Sequence, residues 1–338
     1  MGVNLTGIVP REEINFDYLK NKSVAVDAFN TIYQFLSSIR GADGSYLTDS
    51  GGRVTSHLQG LLSRNLNLMA KGIKLAYVFD GEAPKLKHLE RLRRAELKHS
   101  AEEKYREAVS EEDIDAMSKY SKQFARINDE MINESKELLS ALGIPVVQAP
   151  SEAEGQVAFM CKEGIVDFAA SQDYDSLLFG APDLIRNMTL SQKRKVYGKT
   201  VYTFLEYINL RSVLKELKIN QEQLIILGIL TGTDFNIGGV KGVGPKKALK
   251  LITDNKNNFD NMFKTLNADF DWKEVYDIFE NLPVEKKIKL KWGDVDEEKI
   301  MKLLVEKHEF NEERVRNLVE KYKKENKNSG QKGLGEFV

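Results

Sequence analysis

Four short runs of the chain are almost continuously apolar: Ser23–Ala28 (SVAVDA), Leu75–Gly81 (LAYVFDG), Ile144–Pro150 (IPVVQAP) and Asp167–Asp173 (DFAASQD). Such runs are the pattern of strands buried on both faces. Between them the spacing shifts to a helical period, as in Ser56–Met69, where Leu58, Leu61, Leu62 and Leu66 share one stripe. Strands alternating with helices predict an α/β fold, a central, mainly parallel twisted sheet flanked by helices. Pro84 to about Leu142 interrupts this rhythm. It is charged, helix-prone and without a strand candidate, and so reads as a helical insertion rising from the sheet edge. After about Val213 only helical patterning remains. The final stretch, KNSGQKGLGEFV, is polar and glycine-rich, the composition of a flexible tail.

Charge changes the picture little in bulk. The 338 residues carry 50 Lys+Arg against 51 Asp+Glu, so any nucleic-acid surface must arise by segregating charges. One cysteine, Cys161, excludes an intrachain disulfide framework, and with 4 histidines it argues against a zinc enzyme. No run of eighteen apolar residues and no secretory apolar segment is seen, which points to a cytoplasmic protein without membrane attachment. Gly2 and Thr6 fit a myristoylation pattern, but no basic cluster follows to supply the second anchoring signal.

The chemistry lies in where the acids fall. Asp27 ends the first strand and Asp80 the second; Glu152 and Glu154 follow the third, and Asp173 and Asp175 the fourth. Ligands of open α/β sheets bind outside the carboxyl ends of the strands, so these groups should meet at one edge. Asp234, in a Gly/Thr turn between helical segments, could reach the same place. Singly, each acid has an ordinary reading. Asp80 before Gly81 suits a turn, Asp175 before Ser176 a helix N-cap, and Ser151 with Glu154 a capping box. Together they would repel one another strongly unless cations sit among them. An all-oxygen donor set suits Mg²⁺ or Mn²⁺, and this many carboxylates suit two ions, the arrangement of phosphodiester cleavage.

Basic counterparts follow. Lys87, Arg91, Arg94 and Lys98 fall at i, i+4, i+7 and i+11, one helical face that begins just after Asp80. A solvated helix face is the plain alternative; beside a metal site such a face would clamp a phosphate. Further on, GVKGVGPKKALKLI (Gly239–Ile252) runs a glycine-rich turn into an amphipathic helix. No strand precedes it, which rules out a dinucleotide fingerprint. A hairpin between helices that grips a DNA backbone through Gly242, Gly244, Lys246 and Lys247 is consistent with it.

These segments, with MGVNLTGIVP, VAVDAFNTIYQFL, YVFDGEAPKLK, APSEAEGQ, SQDYDSLLFG and GTDFNIGGVKGVGPKKAL in order, resemble the flap endonucleases among the XPG-type structure-specific 5′ nucleases. The resemblance implies a PIN-like 5′-nuclease fold in a single nuclease domain over 1–325. Within it lie an N-terminal region 1–100, a helical arch at about 82–136, an internal nuclease region at about 143–234, a helix-hairpin-helix-type lobe at about 220–265, and helices to about 325. A flexible tail at 326–338 completes the chain.

The implied activity is a Mg²⁺-dependent 5′-flap endonuclease, with 5′ exonuclease activity, acting in Okazaki fragment maturation and base excision repair. Asp27, Asp80, Glu152, Glu154, Asp173, Asp175 and Asp234 would hold two Mg²⁺, with Mn²⁺ as substitute. Lys87 and Arg94 would polarise the scissile phosphate, Tyr33 would stack on a base near the cut, and Gly2 would lie beside the site. Arg91 and Lys98 would contact DNA, and the glycine hairpin would hold K⁺. In the tail, Gln331, Leu334, Phe337 and Val338 resemble a motif that binds a sliding clamp (PCNA). Val338 stands where a second aromatic is usual. The chain alone would be a monomer, cytoplasmic in an archaeal-type cell and nuclear in a eukaryote. The competing reading is a catalytically silent module that binds DNA and clamp.

Overall fold

The structure is a computed structural model that describes residues 2–41, 44–111, 113–121, 123–190, 193–196 and 199–331. Seven strands form one twisted sheet: β1 (Glu12–Ile14), β2 (Ser23–Asp27), β3 (Lys74–Phe79), β4 (Val146–Gln148), β5 (Phe168–Ala170), β6 (Asp183–Arg186) and β9 (Leu205–Asn209). β7 (Lys193–Val196) and β8 (Lys199–Tyr202) pair as a separate two-stranded ribbon. The order is β1-β9-β6-β5-β2-β3-β4. Five neighbouring strands from β4 to β6 run parallel, and β9 and β1 close one edge antiparallel.

From β2 the chain winds outward through β3 to β4, then returns across β2 to β5 and β6. The direction of winding therefore reverses between β2 and β5, the switch point at which open sheets make their ligand crevice. The continuous apolar runs are explained by burial on both faces. Ala25, Ala76 and Val78 face one core, while Val24, Val26, Tyr77 and Phe79 face the other. Helices Ala28–Ser38, Ser56–Ala70 and Asp129–Ala141 cover the second face, and Ala153–Lys162, Gln221–Thr231 and Pro245–Asn255 belong to the first. Among the described residues no helix is long and apolar enough to cross a membrane.

The insertion rises as a short 3₁₀ turn, Lys85–Lys87, and a 23-residue helix, His88–Ser110, which buries only Glu90, Ala101 and Ala108. It returns through Ile114–Ser121, and Tyr105 packs on Phe124 with ring centroids 5.3 Å apart. The expected boundary near 136 is corrected. Asp129–Ala141 is a core helix that buries Met131, Leu138 and Leu139, so the raised segment ends before Asp129. The flexible tail, expected from 326, is also corrected at its start, because the last helix continues over Glu312–Gln331. Leu334, Phe337 and Val338 lie outside the described residues.

Candidate active site

Each strand end delivers its acid by a distinct local device. Asp27 is the N-cap of Ala28–Ser38, where its carboxylate accepts the Asn30 N–H at 2.9 Å. Asp80, one residue beyond β3, accepts the Ala153 N–H at 2.6 Å. The capping box expected from Ser151 and Glu154 is therefore corrected. The Ser151 hydroxyl donates to the Glu82 carbonyl at 2.9 Å, and Glu154 accepts from the Ser171 hydroxyl at 2.9 Å. Helix Ala153–Lys162 takes its cap from Asp80 of the neighbouring strand. That reach requires the two loops to touch. Gly81 donates to the Ser151 carbonyl at 2.6 Å, and a Cβ at Gly81 would overlap the Ala149 and Pro150 carbonyls.

Asp175 is not an N-cap either. It is the first residue of helix Asp175–Leu178, and its carboxylate accepts the Val3 N–H at 2.7 Å. This bond draws the N-terminal segment over the cluster. A Cβ at Gly2 would run into the Asp173 and Asp175 side chains, so Gly2 lies where the sequence expectation put it. Asp173 accepts from the Asn30 side-chain amide at 3.3 Å. Asp234 is set by a buried turn in which the Asn236 side chain accepts from the Thr233 N–H and hydroxyl and donates to the Ile229 carbonyl at 2.7 Å.

All seven carboxylates line one cleft of about 1140 Å³. Lys87, Arg91, Arg94 and Lys98 line it too, so the helical face read from spacing is real and turned inward. Tyr33 joins them, 37% exposed rather than in the core; the Lys98 ammonium lies 4.7 Å from its ring centroid. Gln123, Ala125 and Arg126, on the descending side of the insertion, complete the wall.

Opposite charges meet inside the cleft. Lys87 donates to Glu152 and lies 3.6 Å from Asp234. Arg94 donates to both oxygens of Asp234 at 2.7 Å and to Glu90 at 2.7 Å. As the side chains stand, no three acid, imidazole or thiolate groups among the described residues close on one point. The acids line a cavity, and two of them are bridged by basic heads.

Electrostatics mark the cluster as short of positive charge. Burial first, and then Asp80, push Asp27 up to about 8. Burial and then Asp173 raise Asp175 to about 7. Glu154 is pushed well above its ordinary value by burial and the neighbouring Asp175, Asp173 and Asp27, and burial raises Asp80 and Glu152 as well. Burial works against the Lys87 ammonium, yet Glu152 and Asp234 hold its pKa above the lysine range. Glu90 behaves oppositely: burial opposes its ionisation, but hydrogen bonds from Arg93 and Arg94 bring it down to about 2. A set of buried oxygens that resists ionisation fits hard divalent cations, which would restore the charged forms.

The glycine hairpin lies outside the cleft lining. It joins Gln221–Thr231 to Pro245–Asn255, with Gly238, Gly239 and Gly242 at positive φ and Gly244 as N-cap. Lys246 and Lys247 are exposed, and Lys247 donates to the Gly242 carbonyl at 3.2 Å. Asp234 begins this hairpin, so the same short segment reaches both the cleft and the exposed turn. Sequence reasoning missed Glu90, Arg93, Asn30 and Ser171, which position the acids and Arg94. Asn30, three residues after Asp27, and Glu90, three and four residues before Arg93 and Arg94 on one helix, carried local signals; Ser171 carried none.

The family models agree with this geometry: the XPG N-terminal domain matches residues 4–101 and the XPG I-region residues 143–234. Flap endonuclease 1 of Pyrococcus furiosus is 49% identical over 336 residues, covering 99% of this chain and 98% of that protein. Flap endonuclease 1 of Nanoarchaeum equitans is 45% identical, covering 100% and 99%. Among solved structures, flap endonuclease-1 from Methanococcus jannaschii superposes with a TM-score of 0.77 at 38% identity, covering 97% of this chain and 100% of that one. The catalytic core of Rad2 in complex with DNA substrate gives 0.68 at 25% identity, covering 92% and 96%. This chain belongs to the flap endonucleases of the XPG-type structure-specific 5′ nucleases, a family of metal-dependent enzymes.

Proposed function

We propose that the chain cuts 5′ flaps from branched DNA in replication and base excision repair, using two Mg²⁺ ions, with Mn²⁺ as substitute. One observation carries this reading: a single cleft gathers seven carboxylates from four strand ends and a hairpin, facing the basic side of the insertion helix. Asp27, Asp80, Glu152, Glu154, Asp173, Asp175 and Asp234 would hold the ions directly or through water. When bound, the ions would stabilise the attacking and leaving oxygens of an in-line displacement at phosphorus.

The chain's own groups do the rest. Glu90 orients Arg94, and Lys87 and Arg94 stand over the acids at the place where a scissile phosphate enters. With cations held at Glu152 and Asp234, the Lys87 and Arg94 heads would be free to clamp that phosphate and stabilise its developing charge. Tyr33, held by Lys98, offers a ring face to a base beside the cut. Arg91 and Lys98 line the passage under the insertion. The Gly242–Gly244 backbone with Lys246 and Lys247 grips duplex phosphates, and its carbonyls suit K⁺. Gln331, Leu334, Phe337 and Val338 engage a sliding clamp. Contacts to backbone and shape leave base sequence unread.

The test is to incubate end-labelled 5′-flap DNA with the protein, with and without Mg²⁺, and to map the product. Cutting at the junction only with metal, lost in Asp173→Ala, is the expected result. Tight flap binding with no cutting under any divalent ion would leave the silent binding module as the function.

A further inference from the structure

Between the helix Trp272–Asn281 and the helix Glu297–Met301 the chain runs without helix or ladder. Here lies a strict alternation. Lys287, Lys289 and Lys291 are exposed, while Ile288, Leu290 and Trp292 turn inward. Ile288 and Leu290 pack on the first core, and the Trp292 indole donates to the Leu75 carbonyl at 2.7 Å. Both ends are fastened. Gln156 donates to the Glu285 carbonyl at 3.0 Å and accepts the Glu285 N–H at 2.7 Å, and Gly293 donates to the Gly143 carbonyl at 2.9 Å.

Three ammonium groups are thus held in a line on a pinned segment. At about 3.3 Å per extended residue, alternate side chains stand about 6.6 Å apart. Lys74 extends the row, 5.8 Å from the Trp292 ring. Among the described residues none of the three lysines forms an ion pair, whereas the exposed Lys273, Lys299 and Lys323 do. Glu285 and Asp294 flank the row, and the Glu285 carboxylate is turned onto the Lys287 N–H at 2.6 Å. Among the described residues of this segment no exposed side chain is aromatic, so this surface offers charge to a backbone and nothing to bases.

The row also leads away from the cleft. The segment that carries it starts on helix Ala153–Lys162, where Leu282 occupies the space a Cβ at Gly155 would need, one residue after Glu154, and it ends at Trp292 beside Leu75, at the end of β3 remote from Asp80. We infer that Lys287, Lys289 and Lys291 form a track for the sugar–phosphate backbone of a single-stranded DNA arm leaving the cleft. A single file of charges matches one strand and lacks the two-sided footprint that a duplex presents. This inference takes from the proposed function only the identity of the strand as the 5′ arm.

The experiment is equilibrium binding without divalent ions, on one junction carrying a 5′ arm of about 4 or about 20 nucleotides. The wild-type chain should prefer the long arm on the order of tenfold, with a salt slope steeper by about 2, from three contacts at about 0.7 each. The triple variant Lys287→Ser, Lys289→Ser, Lys291→Ser should lose that preference, and the triple Lys→Arg variant should keep it. Lys289→Glu alone should weaken the preference, which guards against a folding defect in the triple change. A preference that survives in the Ser variant, or an equal loss on both arms, overturns the track. No cutting is read, so failure here is separate from failure of the flap-cutting proposal.

Discussion

One nitrogen of Arg94 lies 2.7 Å from each oxygen of Asp234, tying the insertion helix to the hairpin lobe 140 positions along the chain. Glu90 holds the same guanidinium from behind. Arg94 is therefore a placed group rather than a loose surface charge, and the proposed function makes a phosphate its target. Arg94→Ala and Lys87→Ala should each lower single-turnover cleavage by about 10²–10³-fold, with duplex affinity little changed. Parallel losses of rate and affinity would show that these residues bind DNA in its ground state instead.

Asp80 caps Ala153–Lys162, and the proposed function gives it a second, separable duty, a share of the metal charge. In Asp80→Asn the remaining carbonyl oxygen can still accept the Ala153 N–H, while one repelling charge disappears. Metal-free melting should stay level or rise, and metal-dependent cleavage should collapse. Asp80→Ala also loses the cap, which costs about 1 kcal/mol, and should melt lower than Asp80→Asn. Calorimetry on both variants decides the matter; retained cleavage in Asp80→Asn would remove it from the metal set.

Stability without metal should depend on pH in a definite direction. Asp27 and Asp175 have folded pKa values of about 8 and about 7, against 3.8 for the free side chain. The folded chain then binds more protons than the unfolded chain between about pH 4 and about pH 8, so stability falls as pH rises through that window. Melting temperatures in chelator should decline from pH 5 to pH 8. Added Mg²⁺ should restore more at the upper end than at the lower. A flat or rising profile in chelator would contradict the crowded-acid description.

Much of this site was legible because burial on both faces gives parallel strands a distinctive continuous apolar signature. Asp27 and Asp80 announce themselves as charges at the ends of such runs. The basic face Lys87–Lys98 was readable for a similar reason, since helical spacing is a local property. What stayed hidden depends on distant partners or weak patterns. β6 (DLIR) and β9 (LEYIN) are short and mix charges with apolar residues, so neither periodicity stands out. Helix Ala153–Lys162 took its cap from another strand, which a local Ser-x-x-Glu rule cannot see. A buried polar cluster around His308 is a further case. His308 lies 2.9 Å from Asp49 and 2.7 Å from Glu134, clasping the C-terminal helices to a loop 259 residues earlier.

The clamp motif makes a separate claim about the end of the chain. Deleting residues 331–338 should leave flap cutting by the isolated protein intact and abolish its stimulation by a sliding clamp. Val338→Phe should strengthen clamp binding, because a second ring would fill more of an apolar pocket. Pull-down and stimulation assays with the purified clamp read both effects. Stimulation that survives the deletion would locate the clamp contact elsewhere.

The central claim is that the acids of the cleft gather around divalent cations. Anomalous diffraction from crystals grown with Mn²⁺ tests it most directly. The expected map has strong peaks enclosed by Asp27, Asp80, Glu152, Glu154, Asp173, Asp175 and Asp234, with Lys87 and Arg94 withdrawn from Glu152 and Asp234. A map empty there, with both basic heads still seated on the carboxylates at saturating Mn²⁺, would contradict it.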